Sequence, residues 1–447
     1  MNKDLFADLI WDASAALALV VLALLVRNIL AIPAHVPLDP NEGWNAAHAL
    51  AAMAGRALYP PPDALMVNNY PPLSFYAIGA VARHGAGAII AGRWVSIAAY
   101  LATVACIAAV LRRMECRTRA VALGAVYFAA LLLVTSDYVG MDDPQLLGHA
   151  VQLGALLLLL RDRILVPALL FALALFIKHN LLAMPLAAGL WLMAQDRRTG
   201  MVFLLWLLAF ALSGLILFQL ELGTSLVEQL MSPRLYSLAN LGTAASHLWW
   251  ALLPGLAMTG LWPDRYSLFC SIYAGTALIL GLVFAAGDGV DANAFFDLGI
   301  ALSLALGLAV QRGRWPIFAA ASAVPLLIYL ALTFRDNNYF FTRKFAQQSD
   351  RDIAFLKSRP GPALCDQLSL CLWAGKGADV DAFNVGEAIK ARARDPAPLT
   401  AMIAHHRFGS LQLIDMDGLG PDVRRAIEKN YRIDHSDDNG AFLVPRL

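Results

Sequence analysis

The sequence predicts a polytopic α-helical membrane protein of about eleven spans, followed by a small C-terminal α/β domain. Three observations carry this. Of 447 residues, 59% are hydrophobic and only 15% charged, where a soluble domain has about 25% charged residues. Mean hydropathy is +0.60. Apolar runs approaching or reaching the roughly 17–25 residues a helix needs to cross a bilayer recur through residue 334, with arginines clustered in alternate gaps. The net charge of +1 and the lack of any basic run exclude a general attraction to nucleic acid.

The first run, 9–32, is too long for a signal-peptide core and ends without a small-x-small cleavage pattern. It reads as an uncleaved span that also targets the chain. Further runs occupy 87–111, 119–136, 145–160, 164–178, 180–195, 201–220, 246–262, 267–286, 295–311 and 315–334. The stretch 72–84 is apolar but too short to cross and reads as juxtamembrane or re-entrant. With the N-terminus and Lys3 in the cytoplasm, Arg112-Arg113 with Arg117 and Arg119, then Arg161 and Arg163, Arg197-Arg198, Arg265, and Arg312 with Arg314 all fall inside. That is the positive-inside pattern. It puts 38–84, 137–145, 178–180, 221–245, 287–293 and the C-terminus on the outer face.

From about Arg335 charge rises and apolar runs shorten. Strand-like pieces (Ala363–Asp366, Leu411–Ile414, Ala441–Val444) alternate with helix-like ones (Val385–Ala393, Pro398–His406, Pro421–Asn430), the pattern of a small α/β domain over 335–447. The five cysteines form no CxxC, which removes zinc-finger and disulfide-scaffold readings. On the outer side a disulfide between Cys365 and Cys371 is open, with two buried thiols the favoured reading, since separation alone does not establish disulfide geometry.

Four polar clusters fall on the outer face. In Asp39-Pro40-Asn41-Glu42-Gly43-Trp44-Asn45, two carboxylates stand three residues apart, on one side of any helix that starts at Pro40. A carboxylate at a membrane boundary has a raised pKa and suits proton abstraction. Asp39 equally suits an N-cap with Pro at the first helical position. In Asn68-Asn69-Tyr70-Pro71-Pro72 the prolines set a helix start, and the amides and Tyr70 suit a sugar or phosphate oxygen. Asp137, Asp142 and Asp143 crowd a span end, where ionisable groups are usually functional. Either Asp142 or Asp143 suits a divalent metal held with waters, or orientation of a substrate; His149 reads as a hydrogen-bonding partner. Lys178-His179 makes a compact cationic site fit for phosphate, with Arg93 and Arg234 as further candidate cations. The run Gly287–Phe296 lacks the downstream glutamate of a calcium loop and reads as a turn lining the same cavity.

An acidic loop after the first span, a Tyr70-Pro71-Pro72-Leu73 segment, Asp142-Asp143-Pro144 before the fourth span and Lys178-His179 together resemble the GT-C glycosyltransferase superfamily over residues 1–334. The nearest likeness is to the protein O-mannosyltransferase and lipid A aminoarabinose transferase group. Asn41-Glu42 stands where that family has Asp-Glu, so Asp39 and Glu42 both remain candidates for the base. The resemblance implies an inverting hexosyl- or pentosyltransferase with a polyprenyl-phosphate sugar donor and a glycan, lipid or protein acceptor. Asp39 or Glu42 would activate the acceptor, assisted by Asp142 or Asp143. Lys178 and His179 would neutralise the leaving phosphate, and Trp44, Asn45, Asn69 and Tyr70 would line the pocket. It implies no certain cofactor, leaves a divalent metal open, and fits a bacterial inner membrane with the site on the extracytoplasmic side. A flippase for lipid-linked sugars would instead place its polar residues near mid-bilayer in repeated halves, and no repeat is present. A silent membrane scaffold is the remaining alternative.

Overall fold

The computed structural model describes residues 3–313 and 315–446; Arg314 and the side chain of Lys3, both expected on the inner face, lie outside the described residues. The chain is mostly helical. α1 (Lys3–Ala31) leads through an irregular segment to α2 (Pro40–Met53), α3 (Leu73–Ala82), α4 (Ala88–Arg113) and α5 (Thr118–Thr135). Then follow α6 (Gln145–Leu159), α7 (Leu165–Ile177), α8 (Ala183–Gln195), α9 (Arg197–Leu222), α10 (Ser225–Leu230), α11 (Leu238–Ser246) and α12 (Leu252–Thr259). α13 (Arg265–Ala285), α14 (Phe296–Arg312), α15 (Pro316–Ala321) and α16 (Ala323–Tyr339) complete the apolar part.

Among the described residues, seven helical stretches are long and apolar enough to cross a membrane: Asp8–Ala31, Ala88–Arg113, Thr118–Thr135, Arg197–Leu222, Arg265–Ala285, Ala292–Arg312 and Ile317–Arg335. α14 is the centre of the bundle; every residue from Phe296 to Val310 is buried, and the helix packs against α5, α13 and α12. The outer helices turn large apolar side chains outward, Leu220 at 78%, Leu30 at 73% and Leu332 at 77% exposure. Such faces are stable against lipid and not against water.

Three of the expected spans are short helices: α6 has 15 residues, α7 and α8 have 13 each. At 1.5 Å per residue, 13 residues reach about 20 Å, less than the roughly 30 Å hydrocarbon core. The run 246–262 is interrupted by a 3-10 turn, His247–Ala251, before α12. The stretch 72–84 forms the 10-residue α3. α6 begins just after Asp142-Asp143-Pro144, and α7 and α8 meet at Lys178-His179-Asn180, so their shortness draws both polar clusters into the bundle.

The stretch after α1 holds more order than a loop. Asp39 caps α2 by accepting the Asn41 N–H at 2.7 Å, and Pro40 takes the first helical position, where its missing N–H costs nothing. α2 lies against α3, α4 and a helix of the C-terminal segment.

That segment comprises α17 (Arg343–Ser358), β1 (Ala363–Cys365), α18 (Leu368–Trp373), α19 (Ala382–Lys390), α20 (Ala397–Ala404), β2 (Ser410–Leu413), α21 (Pro421–Asn430), β3 (Tyr431–Asp437) and β4 (Gly440–Pro445). The sheet order is β1-β2-β4-β3, with β1 parallel to β2 and the other pairs antiparallel. β3 has no counterpart among the strand-like pieces of the sequence because it is an edge strand whose residues are mostly polar and exposed. One expectation is corrected: Cys365 and Cys371 are bonded as a disulfide, not free thiols. The turn from β1 into α18 brings their Cα atoms to 6.1 Å, inside the bonding range.

α18 packs on α2 at Gly43, where a Cβ would stand 2.0 Å from Ser369 N and 2.4 Å from Leu368 C, both backbone atoms. Backbone cannot yield as a side-chain tip can. Gly43→Ala is therefore expected to destabilise the fold by about 1–3 kcal/mol and to lower the melting temperature of the purified protein, whereas Gly255→Ala, with open space around its Cβ position, leaves it near wild type.

Candidate functional site

The site is built around one buried ion pair. Arg93 of α4 donates from Nε to Glu42 Oε1 and from Nη2 to Oε2, both at 2.7 Å. Its remaining N–H groups reach the carbonyls of Ile32, Ala34 and Val36. Glu42 also accepts the Leu38 N–H at 3.0 Å and the Asp142 N–H at 3.2 Å. Both side chains are essentially fully buried, at 1% and 0%. Arg93 thus spends its donors on protein, and both Glu42 oxygens are occupied.

Asp39 differs. It is half-buried, and its cap bond occupies only Oδ1. Its pKa is pushed up to about 7, chiefly by desolvation; the Asn41 N–H opposes the shift, while Asp291, Glu42 and Asp143 add to it. Of the two candidate bases, Asp39 has an oxygen to offer.

Lys178 and Asp143 form the second buried pair, Nζ lying 2.9 Å from Oδ1 and 2.8 Å from Oδ2. Asp143 Oδ1 also accepts the Gln145 N–H at 2.7 Å, at the start of α6. The Lys178 ammonium sits 4.6 Å from the centre of the Tyr70 ring, within cation–π range. Tyr70 stays a phenol: burial raises its pKa, and Lys178 opposes that. The His179 ring lies 6.4 Å from that of Tyr70. Its pKa is lowered to about 4 by desolvation, then by Lys178 and Arg234, so the imidazole is neutral at pH 7. Arg234 is half-buried, lies over the Phe383 ring at 5.6 Å, and makes no ion pair with a described residue. Its charge bears on both Tyr70 and His179.

The structure thus gathers Asp39, Tyr70, Asp143, Lys178, His179 and Arg234. Other expected residues serve as supports. Trp44 Nε1 donates to Val67 O at 3.1 Å and to Asp381 Oδ2 at 2.9 Å. Asn45 Nδ2 holds Asp142 O at 2.8 Å, and Asn69 Nδ2 reaches Asn384 Oδ1 at 3.1 Å. Asp142 is fully buried with both carboxyl oxygens unpartnered, and burial, then Glu42 and Asp143, hold its pKa far above the usual carboxylate range. It is wedged against Gly92, where a Cβ would fall 2.0 Å from its carboxyl carbon. The donor set a divalent ion needs is not formed here: Asp143 is held by Lys178, and Asp142 stands alone in closed space. Sequence reading missed Asp381 and Asn384. Their Asp-x-x-Asn spacing announces the cap of α19, while nothing in it announces docking on Trp44 and Asn69.

The whole chain is similar to ArnT from Cupriavidus metallidurans. Against the structure bound to undecaprenyl phosphate the TM-score is 0.61 at 13% identity, covering 96% of this chain and 98% of that one. Against the apo structure it is 0.60 at 16% identity, covering 97% and 98%. At such identities the likeness is one of fold. No protein-family model matches the chain, and no curated protein matches it.

Removing one member of a buried ion pair strands the other charge, which costs about 3–5 kcal/mol. Arg93→Met and Glu42→Gln are each expected to lower the unfolding temperature and the yield of folded protein. The double variant should recover part of the loss. Additive losses in the double-mutant cycle would contradict the pairing.

Proposed function

We propose that this chain, which has the GT-C fold of ArnT, is a glycosyltransferase that moves a sugar from a polyprenyl-phosphate donor to an acceptor hydroxyl on a glycan, lipid or protein of the cell envelope. The carrying observation is Asp39: a half-buried carboxylate with one oxygen free, at the start of α2, electrostatically coupled to Asp143 beside Lys178.

The scheme is an in-line displacement with inversion. Asp39 takes the proton of the acceptor hydroxyl. The acceptor oxygen bonds the anomeric carbon as the bond from that carbon to the phosphate oxygen breaks, and the electron pair leaves on the lipid phosphate. Charge that grows on the phosphate is best met by cations fixed in advance. Arg234 has no competing ion pair among the described residues, and Lys178 has an ammonium that divides its hydrogen bonds between Asp143 and an incoming oxygen. Tyr70 and neutral His179 offer further hydrogen bonds, and exposed apolar faces between helices suit the polyprenyl tail.

The same reading sets the frame. Eleven spans place the N-terminus in the cytoplasm of the bacterial inner membrane and the C-terminus outside. Residues 1–334 form the membrane domain, which carries the site at its outer face, and 335–447 an extracytoplasmic domain. Two features support that orientation: the arginine clusters between spans, and the Cys365–Cys371 disulfide, a bond that persists in oxidising compartments.

Asparagine is as good an N-cap as aspartate, so Asp39→Asn should fold normally while losing about 10²–10⁴-fold in kcat with a polyprenyl-phosphate sugar. In the wild type, kcat/KM should rise with pH and level off above about 7, as the Asp39 carboxylate ionises. A wild-type rate in Asp39→Asn would sink the assignment. Arg234→Gln should weaken the donor side instead, raising its KM about tenfold, equivalent to about 1.4 kcal/mol, with the pH profile unchanged.

A further inference from the structure

Next to the Asp143–Lys178 pair the bundle holds a small polar cavity of about 10 Å³, the room of a single water or ion, between α6, α8, α13 and α14. Its polar lining is Gln145, Asn180, Asn293 and Asp297; Ala277 and Leu280 contribute to its apolar wall. Gln145 is 1% exposed; its Nε2 is 3.1 Å from His149 Nε2, and its Oε1 has no partner. Asn180 Oδ1 is likewise buried without a partner. Asp297 is 6% exposed and accepts one hydrogen bond, from the Tyr273 hydroxyl at 2.5 Å. Among the described residues no cationic side chain pairs with it.

The cavity therefore presents oxygen acceptors that lack donors, around a carboxylate that lacks a counter-charge. A proton on Asp297 would neutralise it and serve at most one of the facing oxygens. A water would serve two and leave the charge. A bare cation satisfies all of them at once. One carboxylate with neutral amide oxygens balances a single positive charge, whereas divalent sites gather more carboxylates. We propose that this cavity binds a dehydrated monovalent cation of sodium size, held by Asp297, Gln145, Asn180 and Asn293.

The location gives the ion a purpose. Gln145 donates its backbone N–H to Asp143 Oδ1, and Asn180 follows Lys178 by two residues. An ion bound to both side chains ties together the two loops that carry the pair.

The test is thermal unfolding of the purified full-length protein in detergent, and it needs no transferase activity. Sodium, potassium, N-methyl-D-glucamine and magnesium chlorides are compared at equal ionic strength. Sodium should raise the midpoint saturably, on the order of 2–5 °C, with little effect from the bulky organic cation. Radioactive sodium should be retained by the purified protein. Both effects should vanish in Asp297→Asn and weaken in Gln145→Leu, which removes the amide oxygen. If Asp297→Asn does not fold, Gln145→Leu and Asn180→Ala carry the comparison. Equal midpoints in all four salts, a sodium effect that survives Asp297→Asn, or magnesium acting at far lower concentration than sodium would each overturn the proposal.

Discussion

The Arg93 guanidinium fixes the geometry on which everything else in the site depends. Its planar fork binds both Glu42 oxygens and three carbonyls of the segment leaving α1. Through Glu42 it also holds the N–H groups of Leu38 and Asp142. One residue thus joins the end of α1, the start of α2, α4 and the Asp142-Asp143 loop. A buried ion pair adds little net stability, because desolvation offsets most of the attraction. What it supplies here is position. Arginine can do this and lysine cannot, since only the guanidinium offers five donors in a rigid plane.

The second buried pair is of another kind. An ammonium has three donors and no fixed plane; Lys178 makes its two hydrogen bonds to Asp143 and leans on the Tyr70 ring. It can redistribute those bonds toward a phosphate without leaving its place. The site thus keeps its saturated charge, Arg93 with Glu42, apart from Lys178, Arg234 and Asp39, whose hydrogen-bonding capacity is not used up. Asp39 keeps one oxygen free because its helix needs only the other as a cap.

Much of this was legible in the chain. Apolar runs announce the long helices, and the Asp39-Pro40 start of α2 follows from cap and proline chemistry. The pairings were hidden because they are long-range. Arg93 and Glu42 are separated by 51 positions, Lys178 and Asp143 by 35, and Trp44 and Asp381 by 337. Asp39 and Glu42 look alike as sequence, two carboxylates three residues apart; a partner on another helix makes them different. The short runs of α6, α7 and α8 were also legible, since each breaks at a polar cluster of the sequence.

The C-terminal segment belongs to the same construction. Asp381 accepts the Trp44 indole N–H, Asn384 accepts from Asn69, and Arg394 donates to Ala64 O at 2.7 Å. α18, tied to β1 by the Cys365–Cys371 bond, lies directly on Gly43. α2 is thereby clamped, with α3 and α4 among its packing partners and α18 set on it from the C-terminal segment. A carboxylate held for proton transfer must stay within a fraction of an ångström of its working position. A short helix at a membrane boundary, packed on one face only, would not hold Asp39 that closely. The tail therefore has a physical role even where it contributes no reacting group: it closes the open side of the helix that carries Asp39, the base in the proposed scheme.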